Sequence, residues 1–353
     1  MKIISIIGAR PQFIKHTPIQ LALQKVCTAL TIHTGQHYDK NMSDVFFNEL
    51  NIPKPEYMLN NMGGNHGEQT GNMMKDIEQI VLKEKPAAMI VYGDTNSTIA
   101  GGLVASKLHI PLVHIEAGLR SFNKSMPEEI NRIVTDHISD LLFCPSTTAI
   151  DNLKNEGITK NVHLCGDVMR DMIILGEGLI PSKKEDFDYY FATIHRPYNT
   201  DDKERLLTIL NTLNGLKLKV VLPLHPRTRI LLSKYGMDES KFPNIKFIDP
   251  VGYIESVYYQ KYSSAVITDS GGVQKEAYWL KKKCVTLRSE TEWVETLLNG
   301  WNVLCMTDLD NLQGYIDTEP GEYNDALYGD GAAAEVIVDI INNWMHEGNG
   351  TRI

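Results

Sequence analysis

The stretch His114–Arg132, HIEAGLRSFNKSMPEEINR, decides the fold, because an apolar run ends there and three carboxylates and two arginines begin. Residues Pro111–Ile115 suit a short buried strand. Glu116 then falls at the strand's carboxyl edge, the edge at which open α/β sheets bind ligands. Gly118 permits a bend and Pro127 fits the first turn of a helix, on which Glu128, Glu129 and Arg132 follow. Glu128 and Arg132 are four residues apart and so share a helix face. Helix-start acids and a surface ion pair account for that spacing equally well. Glu116 is different, since an acid directly after an apolar strand is costly without a partner or a task.

Outward from this stretch, apolar β-branched runs alternate with helical patterns, the signature of a parallel sheet with helices on both faces. Strands are expected near Ile3–Ile7, Leu30–His33, Ala88–Tyr92, Leu141–Cys144 and Val162–Cys165. They resume at Tyr190–Ile194, Val220–Leu224, Ile245–Ile248, Ala265–Thr268, Cys284–Leu287 and Asn302–Cys305. A polar, glycine- and charge-rich segment, Gly176 to Asp188, separates the two series and reads as a linker. The expected division is a doubly wound α/β domain over 1–170 and a second over 171–353, with a final helix over Ala332–His346.

The 353 residues suffice for roughly two domains of about 150 residues each. A net charge of −9 argues against a general nucleic-acid binder and confines any phosphate site to a local pocket. Five cysteines without a C-x-x-C spacing read as reduced thiols of a cytoplasmic protein. The first apolar run is too short for a signal segment and no stretch approaches a membrane span, so no membrane partner is expected.

Four further motifs sit at strand ends. GARPQFIK offers Gly8 for a tight turn, Pro11 for a helix start and Arg10 and Lys15 for an anion beside exposed amides. GDTNST puts Asp94 just past a strand, where it either caps the next helix or joins Glu116 on one ligand. IHRPYNT and LPLHPRTR place His195 with Arg196, and His225 with Arg227 and Arg229, after successive strands. TDSGGVQKEA supplies a strand, then Ser270, Gly271 and Gly272, then a helix whose amides hold a phosphate and whose Glu276 reaches ribose hydroxyls. Downstream, Arg288, Glu290, Glu292 and Trp293 either wall the same site or decorate a helix. The G-x-G-x-x-G fingerprint, a P-loop, a G-x-S-x-G elbow and zinc-spaced His or Cys clusters are all missing, so no metal is expected.

The ordered set GARPQFIK, TGQH, GDTNST, HIEAGLR, MPEEINR, HRPYNT, LHPRTR and TDSGGVQKEA resembles the non-hydrolysing UDP-N-acetylglucosamine 2-epimerases over nearly the whole chain. That resemblance implies a GT-B architecture: two Rossmann-like domains facing a central cleft, a last helix returning to the first, and a homodimer. It implies reversible inversion at C2 to UDP-N-acetylmannosamine, through elimination of UDP to a 2-acetamidoglucal and re-addition, with no added cofactor. By resemblance, Asp94, Glu116, Glu128 and His195 match catalytic positions. Arg10, His225, Ser270, Gly271, Gly272 and Glu276 match UDP-contacting positions, and Lys15 another active-site position.

The chain departs from the family pattern in three places. SETEW puts Trp293 where an arginine is expected near the ligand. Tyr38-Asp39-Lys40 follows GQH, and NNMGGNHGEQTG replaces a segment that helps some bacterial members bind an activating second substrate. The GARPQFIK and ETEW variants resemble the subgroup that epimerises UDP-2,3-diacetamido-2,3-dideoxyglucuronate, which stands as the first alternative substrate. A hydrolysing epimerase, a GT-B glycosyltransferase and a non-catalytic nucleotide-sugar-binding protein are the other readings.

Overall fold

Ile3, Ile4, Ile6 and Ile7 have no exposed surface, which places their strand, β1 (Lys2–Ile7), inside a parallel sheet with both faces covered. The computed structural model describes residues 1–36, 54–61 and 63–349. In chain order the sheet continues with β2 (Thr28–His33), β3 (Tyr57–Met58), β4 (Ala88–Tyr92), β5 (Leu112–Ile115), β6 (Leu141–Cys144) and β7 (Val162–Leu164). Their spatial order is β3-β2-β1-β4-β5-β6-β7, so the winding reverses between β1 and β4. Loops after those two strands diverge, and the gap they leave is where such sheets take ligands. Ile32, Met73, Ile77, Val91 and Val104 pack one face of this sheet.

A second parallel sheet holds β8 (Tyr189–Thr193), β9 (Lys219–Pro223), β10 (Ile245–Ile248), β11 (Ala265–Thr268), β12 (Cys284–Thr286) and β13 (Asn302–Leu304). Its order is β10-β9-β8-β11-β12-β13, with the reversal between β8 and β11. Leu206, Ile209, Leu210, Leu213, Val220 and Leu222 lie in its main apolar core. Two doubly wound parallel units in one chain are the pair that defines the GT-B class.

Contacts divide the chain into Met1–Leu175 with Ala326–Ile353, and Gly176–Asp325. The helix Ala333–Trp344 therefore belongs to the first unit, where the buried Asp171 carboxylate accepts the amides of Ala333 at 3.3 Å and Ala334 at 2.7 Å. The expected strands all form, with ends shifted by one or two residues. The edge strand β3 was not expected: its two residues, flanked by prolines and polar groups, carry too little pattern to read. Among the described residues no helix is long and apolar enough to cross a membrane. His37, Tyr38-Asp39-Lys40 and Met62, all within motifs noted above, lie outside the described residues, as does the side chain of Arg10.

Candidate active site

Val91 and Tyr92 of β4 pair with His114 and Ile115 of β5, so Gly93-Asp94 and Glu116 emerge side by side at the carboxyl edge of the first sheet. Glu116 is 7% exposed and has φ +69, a left-handed backbone that costs a non-glycine residue on the order of 1 kcal/mol. Its amide and that of Ala117 both donate to the Phe143 carbonyl, at 3.1 and 3.0 Å, which holds the turn. The Glu116 carboxylate accepts from the Lys15 ammonium, itself buried. Burial alone would depress the Lys15 ammonium, but Glu116 and Asp94 outweigh it and hold its pKa above 10.5. Lys15 was expected beside a bound anion; in this structure its partner is a carboxylate.

Asp94 does not cap the following helix. Thr95 does so, accepting the Thr98 amide, which leaves the Asp94 carboxylate to receive the Arg132 guanidinium at 2.6 Å. Asn131 donates to the Asp94 carbonyl at 2.9 Å from the same helix, Pro127–Ile138. The helical partner of Arg132 is Glu129, at 2.8 Å, not Glu128 as the four-residue spacing suggests. Glu129 is 1% exposed and also gathers the Ser121 amide and hydroxyl and the Phe122 amide, each at 2.9 Å. Against the cost of burial, those bonds and Arg132 draw its pKa below 4.5. Glu128, in the first turn of the same helix, is half-buried.

The first strand's turn also differs from expectation. Gln12 Oε1 takes the Gly8 amide at 2.8 Å and the Ala9 amide at 3.1 Å, so these donors are occupied by the chain itself. Glycine is required at position 8 because a Cβ would collide with Ser97 Oγ and Thr34 Oγ1.

In the second unit the Thr193–Thr268 pairing sets the ends of β8 and β11 together. Asp269, fully buried and overlooked in the sequence, accepts the His195 amide at 3.0 Å, the Arg196 amide at 2.9 Å and Asn199 Nδ2 at 3.1 Å. Its other oxygen lies 3.2 Å from His195 Nδ1, which fixes the ring beside the turn. The signal was present: an aspartate at the end of an apolar strand, much as Asp94 lies just past β4. The His195 and His225 rings lie 5.9 Å apart. Arg227 and Arg229, in contrast, pair at the surface with Asp201 and Asp249.

Ser270 precedes the helix Gly271–Trp279, whose first amides have no partner inside the helix. The space beside Gly271 is bounded by Trp293 Nε1, 3.3 Å from where a Cβ would stand, and by Arg288. Arg288 is buried in a two-pronged pair with Glu292 at 3.1 and 3.2 Å. Glu276 accepts from Gln260 Nε2 at 2.6 Å, so one of its carboxylate oxygens is engaged within the chain. Lys275, fully buried, sets its ammonium 3.4 Å from the Trp293 ring centre. The described residues hold no cluster of three His, Cys, Asp or Glu fit for a metal.

The family profile described as UDP-N-acetylglucosamine 2-epimerase matches residues 20–342. A Methanococcus maripaludis protein named UDP-N-acetylglucosamine 2-epimerase homolog is 49% identical, over 97% of this chain and 100% of that one. The UDP-2,3-diacetamido-2,3-dideoxy-D-glucuronate 2-epimerase of Pseudomonas aeruginosa is 48% identical, over 97% of this chain and 99% of its own. Among solved structures, Methanocaldococcus jannaschii UDP-GlcNAc 2-epimerase in complex with UDP-GlcNAc and UDP superposes with a TM-score of 0.88 at 40% identity, over 97% of this chain and 100% of that one.

Proposed function

We propose, for a chain that belongs to the UDP-N-acetylglucosamine 2-epimerase family and is thus an isomerase, that it inverts C2 of UDP-N-acetylglucosamine by eliminating and re-adding UDP. The C2 proton of such a sugar has no neighbouring ketone to acidify it, so direct removal is slow. Expulsion of UDP from C1 with loss of that proton gives a 2-acetamidoglucal, and UDP returns with a proton on the opposite face of C2. This chemistry needs acid–base groups at the sugar and stabilisation of the departing diphosphate.

The carrying observation is the pair of strand-end carboxylates, Asp94 and Glu116, each held by a cation, Arg132 and Lys15. We assign Asp94, Glu116, Glu128 and His195 to proton transfer. Arg10, Lys15, His225, Ser270, Gly271, Gly272 and Glu276 are assigned to binding, the SGG helix start taking diphosphate and Glu276 the ribose. A homodimer in the cytoplasm is the proposed working state; the five unpaired cysteines support the compartment, and light scattering tests the dimer.

A second substrate, UDP-2,3-diacetamido-2,3-dideoxyglucuronate, is favoured by the Pseudomonas relative and by Trp293 in the ETEW segment. Turnover of each UDP-sugar in heavy water decides both points. Deuterium at C2 of the epimer supports elimination and re-addition, and the sugar turned over faster is the substrate. Unlabelled product, free N-acetylmannosamine, or dependence on an acceptor overturns the reading.

A further inference from the structure

We propose that His114 is a positioning residue for Glu116, acting through the Gly93 carbonyl on one side and Asp136 on the other. The inference rests on the assignment of Glu116 to proton transfer.

His114 has no exposed surface and faces an oxygen with each ring nitrogen. Nε2 lies 2.8 Å from the Gly93 carbonyl and Nδ1 lies 2.7 Å from Asp136 Oδ1. The second oxygen of Asp136 accepts the Gly118 amide at 3.2 Å and Arg120 at 2.7 Å. One imidazole thus ties the turn after β4 to the turn after β5, with Glu116 between Gly93 and Gly118.

Gly93 is the sensitive point. It has φ +60, and a Cβ there would stand 2.9 Å from Glu116 Oε2 and 3.3 Å from Lys15 Nζ. The Glu116–Lys15 pair therefore occupies the space that a side chain at position 93 would need. Glu116 itself sits at φ +69, a conformation that persists only where its surroundings hold it. Releasing the Gly93 carbonyl lets that backbone rotate and carries the carboxylate off its line to C2.

A buried histidine that merely fills the core is the competing account, and two near-isosteric variants separate them. The amide of His114→Gln reaches the Nε2 position and still donates to Gly93. That of His114→Asn reaches only the Nδ1 position, keeping Asp136 and freeing Gly93. His114→Asn is expected to lower kcat by about 30–100-fold, with KM and UDP affinity within about twofold, as small misplacements of reacting groups do. His114→Gln is expected to recover to within about fivefold of the parent. Equal kcat losses in the two variants, losses that follow the fall in Tm, or a loss confined to KM overturn the proposal.

If neither variant folds, Asp136→Asn takes their place: about tenfold lower kcat with intact UDP binding supports the proposal, and unchanged kcat overturns it. Glu116→Gln in the same assay separates the layers. If it retains turnover, the role of Glu116 falls and this inference with it; if it is inactive while His114→Asn is not, the inference alone falls.

Discussion

The ammonium of Lys275 lies 3.4 Å from the centre of the Trp293 ring, and Lys275 has no exposed surface. A buried cation needs a partner, and the electron-rich face of an indole supplies one. An arginine at 293, as expected from the family pattern, would bring a second positive charge to this place. Trp293→Arg is expected to destabilise the second unit by about 2–4 kcal/mol, and Trp293→Phe by no more than about 1 kcal/mol. Urea unfolding of the two variants measures both; equal losses would remove the ring face from the account.

Arg132 joins Asp94 to Glu129, and Glu129 in turn organises the Ser121-Phe122 turn. Removing the guanidinium frees Asp94 and leaves Glu129 buried without its cation. Arg132→Gln is expected to lower kcat by about 100-fold while UDP affinity, read by calorimetry, stays within about threefold. An unchanged kcat would mean that Asp94 needs no such anchor.

Lys15 and Glu116 form a buried pair, in which loss of the ammonium takes a charge-matched partner from a buried carboxylate. Lys15→Met is expected to destabilise the protein by about 3–5 kcal/mol, and Lys15→Met with Glu116→Gln by clearly less. The Lys15 pKa is raised above 10.5, so its contribution is complete below that value and is lost as pH climbs through the folded pKa. The base-side fall in stability above pH 10.5 should therefore be shallower in Lys15→Met, which pH-dependent melting checks.

Asp171 behaves in the opposite sense from the paired acids. Burial pushes its pKa up to about 6, partly offset by the Ala334 and Ala333 amides. The folded state then binds its proton more tightly than the unfolded chain, so stability from this group is present at low pH and declines as pH rises from about 4 to about 6. Asp136 and Glu129, whose pKa values are lowered, contribute in the reverse direction as acid is added. The difference in unfolding free energy between Asp171→Asn and the parent should change across pH 4–6 by on the order of 2 kcal/mol and be flat above pH 7. A pH-independent difference would contradict the raised value.

Strand ends were legible in the sequence because a parallel sheet demands unbroken apolar runs, and an acid that ends such a run declares itself, as Glu116 and Asp94 did. Partners were not legible. Whether Arg132 takes Glu128 or Glu129 depends on how Pro127 phases the helix and on a turn that delivers the Ser121 and Phe122 amides to Glu129. The Gly8 and Ala9 amides read as an anion site, yet Gln12, four and three residues ahead, reaches back to them. Asp269 carries no assignment in the sequence reading, and only the fold reveals that it grips the His195 loop from a neighbouring strand. His114 is silent for the same reason: its two oxygens come from residues 21 places before it and 22 places after it in the chain.

The helix Ala333–Trp344 is seated in the first unit although it is encoded after the second. A ribosome must therefore finish the Gly176–Asp325 segment before the earlier one receives its last piece, and until then the helix Arg10–Leu23 waits without the neighbour that later covers it. During synthesis the segment made first is completed last.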